Sequence, residues 1–259
     1  MVGRGGVILS AVTPTRIASR SDLPLSRGGE DRVCGGEIVI AAVTLLADPD
    51  GALYWPEQGL LAVADLHLEK GSSFARRGVL LPPYDTAATL ARLARLIARY
   101  LPKCVVALGD NFHDGQGAER MGDGDRSTLA GLQRARDWIW ITGNHDPEPM
   151  VGIAGDYAAQ VALGPLMFRH KPSGEAADGE IAGHLHPLAC VAQRGRSVRR
   201  RCFAADGKRM VMPAFGAYTG GLNIRDRAFA GLFDRASFVA HMLGERRLYA
   251  IAASRCLGD

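Results

Sequence analysis

The sequence predicts an α/β domain with a core of two packed sheets, on three observations. Strand-sized apolar runs alternate with amphipathic helical stretches through the first half of the chain, and the second half is a succession of short β-like runs. Almost every histidine-bearing motif follows directly on one of those runs. In open α/β sheets functional side chains gather past the carboxyl ends of strands, so the third observation ties the fold to a site.

Taken in order, residues 1–35 begin with arginines, small residues and the patch Val7-Ile8-Leu9, too short for a secretory apolar region and followed by no clear cleavage site. They are expected to be a flexible leader to a domain over residues 36–259. Residues 37–46 read as a strand, Asp48-Pro49-Asp50-Gly51 as a turn and residues 52–55 as the returning strand of a hairpin. The run 59–64 is apolar throughout, as a strand covered on both faces should be, and ends in Asp65-Leu66-His67. Residues 84–100 form an amphipathic helix with Leu90, Leu93, Ile97 and Leu101 on one stripe. Arg92, Arg95 and Arg99 lie mostly opposite as its solvated face, and Asp85 stands as N-cap. A strand at 103–108 ends in Gly109-Asp110-Asn111-Phe112-His113, a helix follows at 126–136, and a strand at 138–142 ends in Gly143-Asn144-His145-Asp146. Beyond it, 164–169 leads into His170 and 180–182 into Gly183-His184-Leu185-His186, with further strand-like pieces at 188–193, 198–204 and 208–212. Residues 235–243 read as amphipathic, with His241 on a helix surface.

Composition narrows the class. With 259 residues, 47% hydrophobic and 22% charged, the chain can bury a full core, and the disordered and fibrous classes drop out. No apolar run approaches the roughly 18 residues of a membrane span. The five cysteines, Cys34, Cys104, Cys190, Cys202 and Cys256, show no paired short spacing and read as reduced thiols of a cytoplasmic protein. The net charge of +4 comes almost wholly from arginine, which suits a phosphate-rich partner, although a coding bias accounts for it equally well.

The motifs carry the chemistry. Neutral imidazoles and carboxylates are what first-row transition metals take from a protein. Two apart in an extended segment, Asp65 and His67 would leave the same face and bind one ion, and His184 and His186 repeat the device. Either pair alone is a weak signal; five such elements in one order are a strong one. Two cations about 3.5 to 4 Å apart need a shared ligand, and Asp110 is the natural carboxylate bridge. Asn144 can offer an amide oxygen without adding charge. His170 would be a surface histidine on its own, but its place between the third and last motifs makes it a ligand candidate. His145 is left free to protonate a leaving group or to stabilise phosphoryl charge, with Asp146 to orient its ring.

In this order the motifs resemble the pattern D-x-H, G-D-x-x-[DH], G-N-H-[DE], H, G-H-x-H of the calcineurin-like metallophosphoesterase superfamily, over roughly residues 37–225. The resemblance implies a four-layer αββα sandwich of two mixed β-sheets with a dinuclear metal site at the strand C-terminal edge. It implies one ion on Asp65, His67, Asp110 and His186, the other on Asp110, Asn144, His170 and His184, and attack on phosphorus by a metal-bridging hydroxide. Manganese is the expected metal, with iron, zinc or a mixed pair compatible. The His113 motif and the Asn-His-Asp ending are similar to the DNA-repair nuclease branch, in which the residue matching His113 contacts the phosphate. The segments Ala52-Leu53-Tyr54-Trp55-Pro56, Ala64-Asp65-Leu66-His67-Leu68-Glu69-Lys70-Gly71, Leu81-Pro82-Pro83-Tyr84-Asp85-Thr86 and Gly183-His184-Leu185-His186-Pro187 resemble those of the bacterial ligase-associated DNA damage response endonucleases (ICC-like phosphoesterases). The implied partners are DNA and the ATP-dependent DNA ligase, helicase and exonuclease encoded beside such enzymes.

Three functions are therefore weighed: a DNA phosphodiesterase, a phosphoesterase acting on a small nucleotide or monoester, and a non-catalytic binder on the same fold. The binder has least support, because every ligand position is filled. For holding DNA, Lys70, Arg76 and Arg77 are the candidates, with the cluster Arg194, Arg196, Arg199, Arg200 and Arg201 equally readable as a solvated hairpin.

Overall fold

The computed structural model describes residues 35–175 and 177–259, so the leader expected over 1–35 lies outside the described residues except for Gly35. The first sheet runs in sequence order: β1 (Gly36–Ile40), β2 (Val43–Ala47), β3 (Leu53–Trp55), β4 (Leu60–Val63), β5 (Cys104–Leu108), β6 (Asp137–Ile141) and β7 (Asp156–Ala158). Its first four strands are antiparallel neighbours, and β4 to β7 are parallel. The single strand expected over 37–46 is a hairpin of its own. Ala41 and Ala42 both take positive φ (47° and 64°), the geometry of a two-residue type I′ turn. Neither glycine nor asparagine marks that turn, so pattern alone ran through it.

Four helices cluster between residues 70 and 133: α1 (Lys70–Ala75), α2 (Asp85–Tyr100), α3 (Gly117–Arg120) and α4 (Asp123–Gln133). On α2, Leu90, Leu93, Leu96 and Ile97 pack against Leu61, Val63, Val105 and Ala107 of the first sheet, each burial contributing roughly 1.5–3 kcal/mol. Leu101, expected on that stripe, instead ends the helix in the left-handed conformation, donates to Ile97 O and is 75% exposed before Pro102. Asp85 is not the N-cap, which is Tyr84; its carboxylate is buried and accepts from Gly71 N–H at 3.1 Å, tying α2 to α1. Arg92 is likewise not a solvated residue, since it donates to Phe215 O at 2.9 Å and covers the Phe215 ring.

The second sheet holds β8 (Gln160–Leu163), β9 (Leu166–Arg169), β10 (Glu180–Ala182), β11 (Pro187–Gln193), β12 (Arg196–Ala205), β13 (Arg209–Val211), β14 (Leu222–Asn223), β15 (Val239–Leu243) and β16 (Leu248–Ala252). Its path is β14-β11-β12-β13-β10-β9-β8, with β15 pairing β12 and β16, and β9, β10 and β13 run parallel. The segment read as a helix bearing His241 is thus β15: pairing with β12 and β16 overrides a short apolar period that fits either state.

Strand alternation sorts the core into layers. Leu60, Ala62, Val106, Leu108 and Ile141 face Leu166, Phe168, Ile181, Phe203 and Met210 between the two sheets. The opposite side chains of the first sheet meet the helices, and the outer face of the second carries Cys202, Ala204, Ala240 and Met242 beneath Ile224, Phe229 and Phe233. This is the expected sandwich of two mixed sheets, with a fourth layer of irregular chain and short 3-10 turns. Cys104, Cys190, Cys202 and Cys256 are free. No helix among the described residues is long and apolar enough to cross a membrane.

Candidate metal centre

Each motif begins where a parallel strand ends: Asp65 after β4, Asp110 after β5, Asn144 after β6, His170 after β9 and His184 after β10. The two sheets meet there in an isolated bridge between Ala64 and Ala214. Close approach of the motifs depends on glycine. A Cβ on Gly143 would lie 2.1 Å from Asp110 N, and one on Gly109 2.6 Å from the His170 ring.

The extended geometry expected of Asp65-Leu66-His67 does not occur. Asp65, His67 and Glu69 have φ of 53°, 42° and 63°, Asp110 has 47°, and His184 and His186 have 71° and 46°. Such values are uncommon outside glycine and gather at functional sites. The chain departs from the extended form, yet the ligand atoms converge in two groups, each within 4.8 Å: Asp65, His67 and His186, and Asp110, His170 and His184. His184 and His186 therefore divide between the groups, instead of sharing a face as the repeated spacing suggested.

Asp110 spans the two groups. Its Oδ1 lies 3.4 Å from His170 Nε2 and its Oδ2 3.9 Å from His67 Nε2. Asn144 joins the second group, its Oδ1 3.0 Å from His170 Nε2. In the first group His186 Nε2 sits 3.3 Å from Asp65 Oδ1 and 3.4 Å from His67 Nε2. Tautomers follow from the outer contacts. His170 Nδ1 faces Leu108 O at 2.8 Å and His186 Nδ1 faces Gly220 O at 3.2 Å. Carbonyls accept only, so each Nδ1 carries a hydrogen, and in the neutral ring the Nε2 lone pair faces inward.

The electrostatics point the same way. Burial, then His186, His145, His113 and Lys70, pushes His67 down to about 2, so it is neutral. Burial and His170 also lower His184. Burial opposes charge on His186 too, but the Asp65 hydrogen bond raises it overall. Two buried carboxylates beside imidazoles of which His67 and His184 resist protonation bring oxygen and nitrogen lone pairs together, a set that fits two divalent cations. Four imidazole nitrogens, two carboxylates and an amide oxygen, with no thiolate, are donors for manganese, iron or zinc.

His113 and His145 form a third group with His67, which they share with the first group. His145 N–H donates to Asp110 Oδ1 at 2.9 Å, and its Nδ1 lies 2.8 Å from His113 O. His113 stacks on His145, its Nδ1 3.3 Å from His67 Nδ1, and burial followed by Lys70 and His145 pushes it down to about 4. Asp146, expected to orient the His145 ring, does something else. Its buried carboxylate accepts from Asn111 N and Nδ2 (2.9 Å each), Phe112 N (3.3 Å) and Gly143 N (3.0 Å), clamping the second motif to the third. Sequence reading passed over Asn111, whose amide also donates to Ile141 O at 2.9 Å. Its position in a Gly-Asp-Asn turn was the available signal. Asp146→Ala should cost about 2–4 kcal/mol in urea unfolding, because buried N–H groups lose their acceptor; a loss under about 1 kcal/mol would refute the clamp.

Lys70 opens α1, its Nζ donating to Tyr218 O at 2.9 Å. Arg76 and Arg77 are exposed and line a cavity of about 450 Å³ with Ser73, Asp114, Gly115 and Gln116, in which Arg76 hydrogen-bonds Gln116. The Arg194–Arg201 cluster lies on the β11–β12 hairpin. There Arg199 pairs with Asp259 at 3.5 Å, Arg201 donates to Ala214 O at 2.7 Å, and Arg200 lines a separate cavity of about 910 Å³ with Val191, Met242 and Tyr249.

Against known proteins, residues 60–191, just over half of the chain, match the family model described as calcineurin-like phosphoesterase. The chain belongs to the calcineurin-like phosphoesterase family. Members are metal-dependent hydrolases with a dinuclear site, and this chain gathers His and Asp side chains in clusters able to hold metal. Among solved structures, the Pseudomonas putida nuclease MPE superposes with a TM-score of 0.65 at 27% identity, covering 84% of this calcineurin-like chain and 100% of that one. Yfce, a phosphoesterase from E. coli, gives a TM-score of 0.36 at 14% identity over 75% of this chain and 98% of that one, too distant to build on. Comparison with curated proteins gives no match.

Proposed function

We propose that this calcineurin-like phosphoesterase is a manganese-dependent DNA phosphodiesterase, an endonuclease working in repair beside an ATP-dependent DNA ligase, a helicase and an exonuclease. The observation that carries the reading is the likeness to a protein described as a nuclease, which spans the whole of that chain. Two divalent cations, held by Asp65, His67, Asp110 and His186 and by Asp110, Asn144, His170 and His184, would supply positive charge and acidified water for hydrolysis.

The remaining chemistry belongs to side chains. If His67 turns its Nε2 lone pair to the cation, its Nδ1–H donates to His113 Nδ1, 3.3 Å away. His113 then carries its hydrogen on Nε2 and, neutral at pH 7, offers it to a phosphoryl oxygen. His145, with Nδ1 fixed on His113 O, keeps Nε2 available at a side chain 39% exposed, and in its protonated form can give a proton to the departing oxygen. Lys70, Arg76 and Arg77 supply positive charge for the DNA backbone along α1.

His113→Ala should reduce cleavage of a generic diester and of nicked or single-stranded DNA by about 100-fold, with a smaller loss on the matching monoester. Preference of the wild-type protein for the monoester, with no DNA cleavage, would sink the nuclease reading in favour of small-phosphoester hydrolysis.

A further inference from the structure

The loop over residues 214–221 supplies none of the seven donors, yet it is fastened to the first and last motifs. Phe215 N–H donates to Ala64 O at 2.8 Å and Gly216 N–H to Asp65 O at 3.1 Å. At its other end Leu222 N–H donates to His186 O at 3.2 Å, and Gly220 O accepts from His186 Nδ1. A Cβ on Gly216 would stand 2.1 Å from Leu66 O, and one on Gly221 2.1 Å from His186 O, so the loop lies directly against both backbones. Three further bonds stiffen it: Ala217 N–H to Thr89 Oγ1, Thr219 Oγ1–H to Gly216 O, and Lys70 Nζ to Tyr218 O.

This fastened loop displays Tyr218, 47% exposed and at φ 58°. A bulky side chain rarely takes that conformation, which glycine or asparagine reaches more easily, and strain of this kind persists where the surroundings impose it. Burial offers little compensation to a ring half in solvent. An exposed aromatic residue is thus fixed in a loop bound to the donor motifs, with Lys70 bonded to its own carbonyl and His186 to the carbonyl of Gly220 two residues on.

We infer that Tyr218 is a stacking platform for the nucleobase next to the phosphate under attack, and so helps to fix where along a strand the cut falls. The inference rests on the nuclease reading. Every base has a π-face, so such a platform accepts DNA without reading its sequence, and Lys70 beside it would keep the backbone in register.

The test uses single-stranded oligonucleotides in which one nucleotide carries its base or is abasic, with cleavage mapped at each phosphate. In the wild-type protein, loss of the base should slow cleavage at the adjoining phosphate by about tenfold. In Tyr218→Ala that ratio should fall to near one, and in Tyr218→Phe it should persist; thermal melts of each variant report on folding. A full ratio in Tyr218→Ala, or no base effect in the wild type, overturns the proposal while leaving the nuclease reading intact. Failure of the wild-type protein to cut any oligonucleotide overturns both.

Discussion

Asp110→Ala is expected to lower diester hydrolysis by at least about 1000-fold, the equivalent of roughly 4 kcal/mol of transition-state stabilisation. No other carboxylate in the centre is placed to do its work. One oxygen lies 3.4 Å from His170 Nε2 and the other 3.9 Å from His67 Nε2, whereas Asp65 meets His170 only at the Nδ1 that faces Leu108 O. Its Oδ1 also accepts from His145 N–H, so the truncation frees the loop that carries His145. Metal content after dialysis against manganese should fall below the two ions per chain expected of the wild type. Residual turnover within about tenfold of wild type would show that Asp110 does not bridge.

Gly143→Ala should be nearly as damaging, although it removes no functional atom. The added Cβ would stand 2.1 Å from Asp110 N and 2.3 Å from Asp110 Oδ1. Backbone cannot swing aside as a long side chain can, so β5 and β6 must separate at their ends; overpacking of this kind costs about 1–3 kcal/mol and here falls on the bridge itself. We expect a lowered melting temperature together with a loss of activity of about 100-fold or more, since small displacements of reacting groups carry that penalty. Gly131→Ala is the control: nothing lies within 4 Å of its Cβ, and alanine favours the helix. Wild-type activity in Gly143→Ala would refute the account of the close approach.

Which features the sequence disclosed follows from how local their causes are. β4 and β5 are buried on both faces, which writes an unbroken apolar run, and α2 writes its period of 3.6 because only one face meets the sheet. The seven donors were legible because imidazole, carboxylate and amide recur at strand ends, and the structure brings all seven together. What escaped depended on partners remote in sequence. The Ala41-Ala42 turn takes its shape from β1 and β2 pairing, and β15 becomes a strand only beside β12. Arg92 is only partly exposed because Phe215, 123 residues away, lies within its reach. The left-handed conformations of Asp65 and His67 contradict a rule of extended geometry that held good until the strand ended at Val63.

The bridge between Ala64 and Ala214 marks the line where the two sheets touch beside the site. Asp65, His67, Asp110 and Asn144 hang from the first sheet, and His170, His184 and His186 from the second. A cation shared across that line is a rivet, and each donor group takes ligands from both sides of it. Occupancy therefore enters the folding equilibrium as well as the chemistry: at a free metal concentration 100 times the dissociation constant, one site adds about 2.7 kcal/mol to the native state. The donor set of this chain is, by the same token, a fastening of its sandwich, and the edge where those donors meet is the edge that metal supply would tighten or loosen.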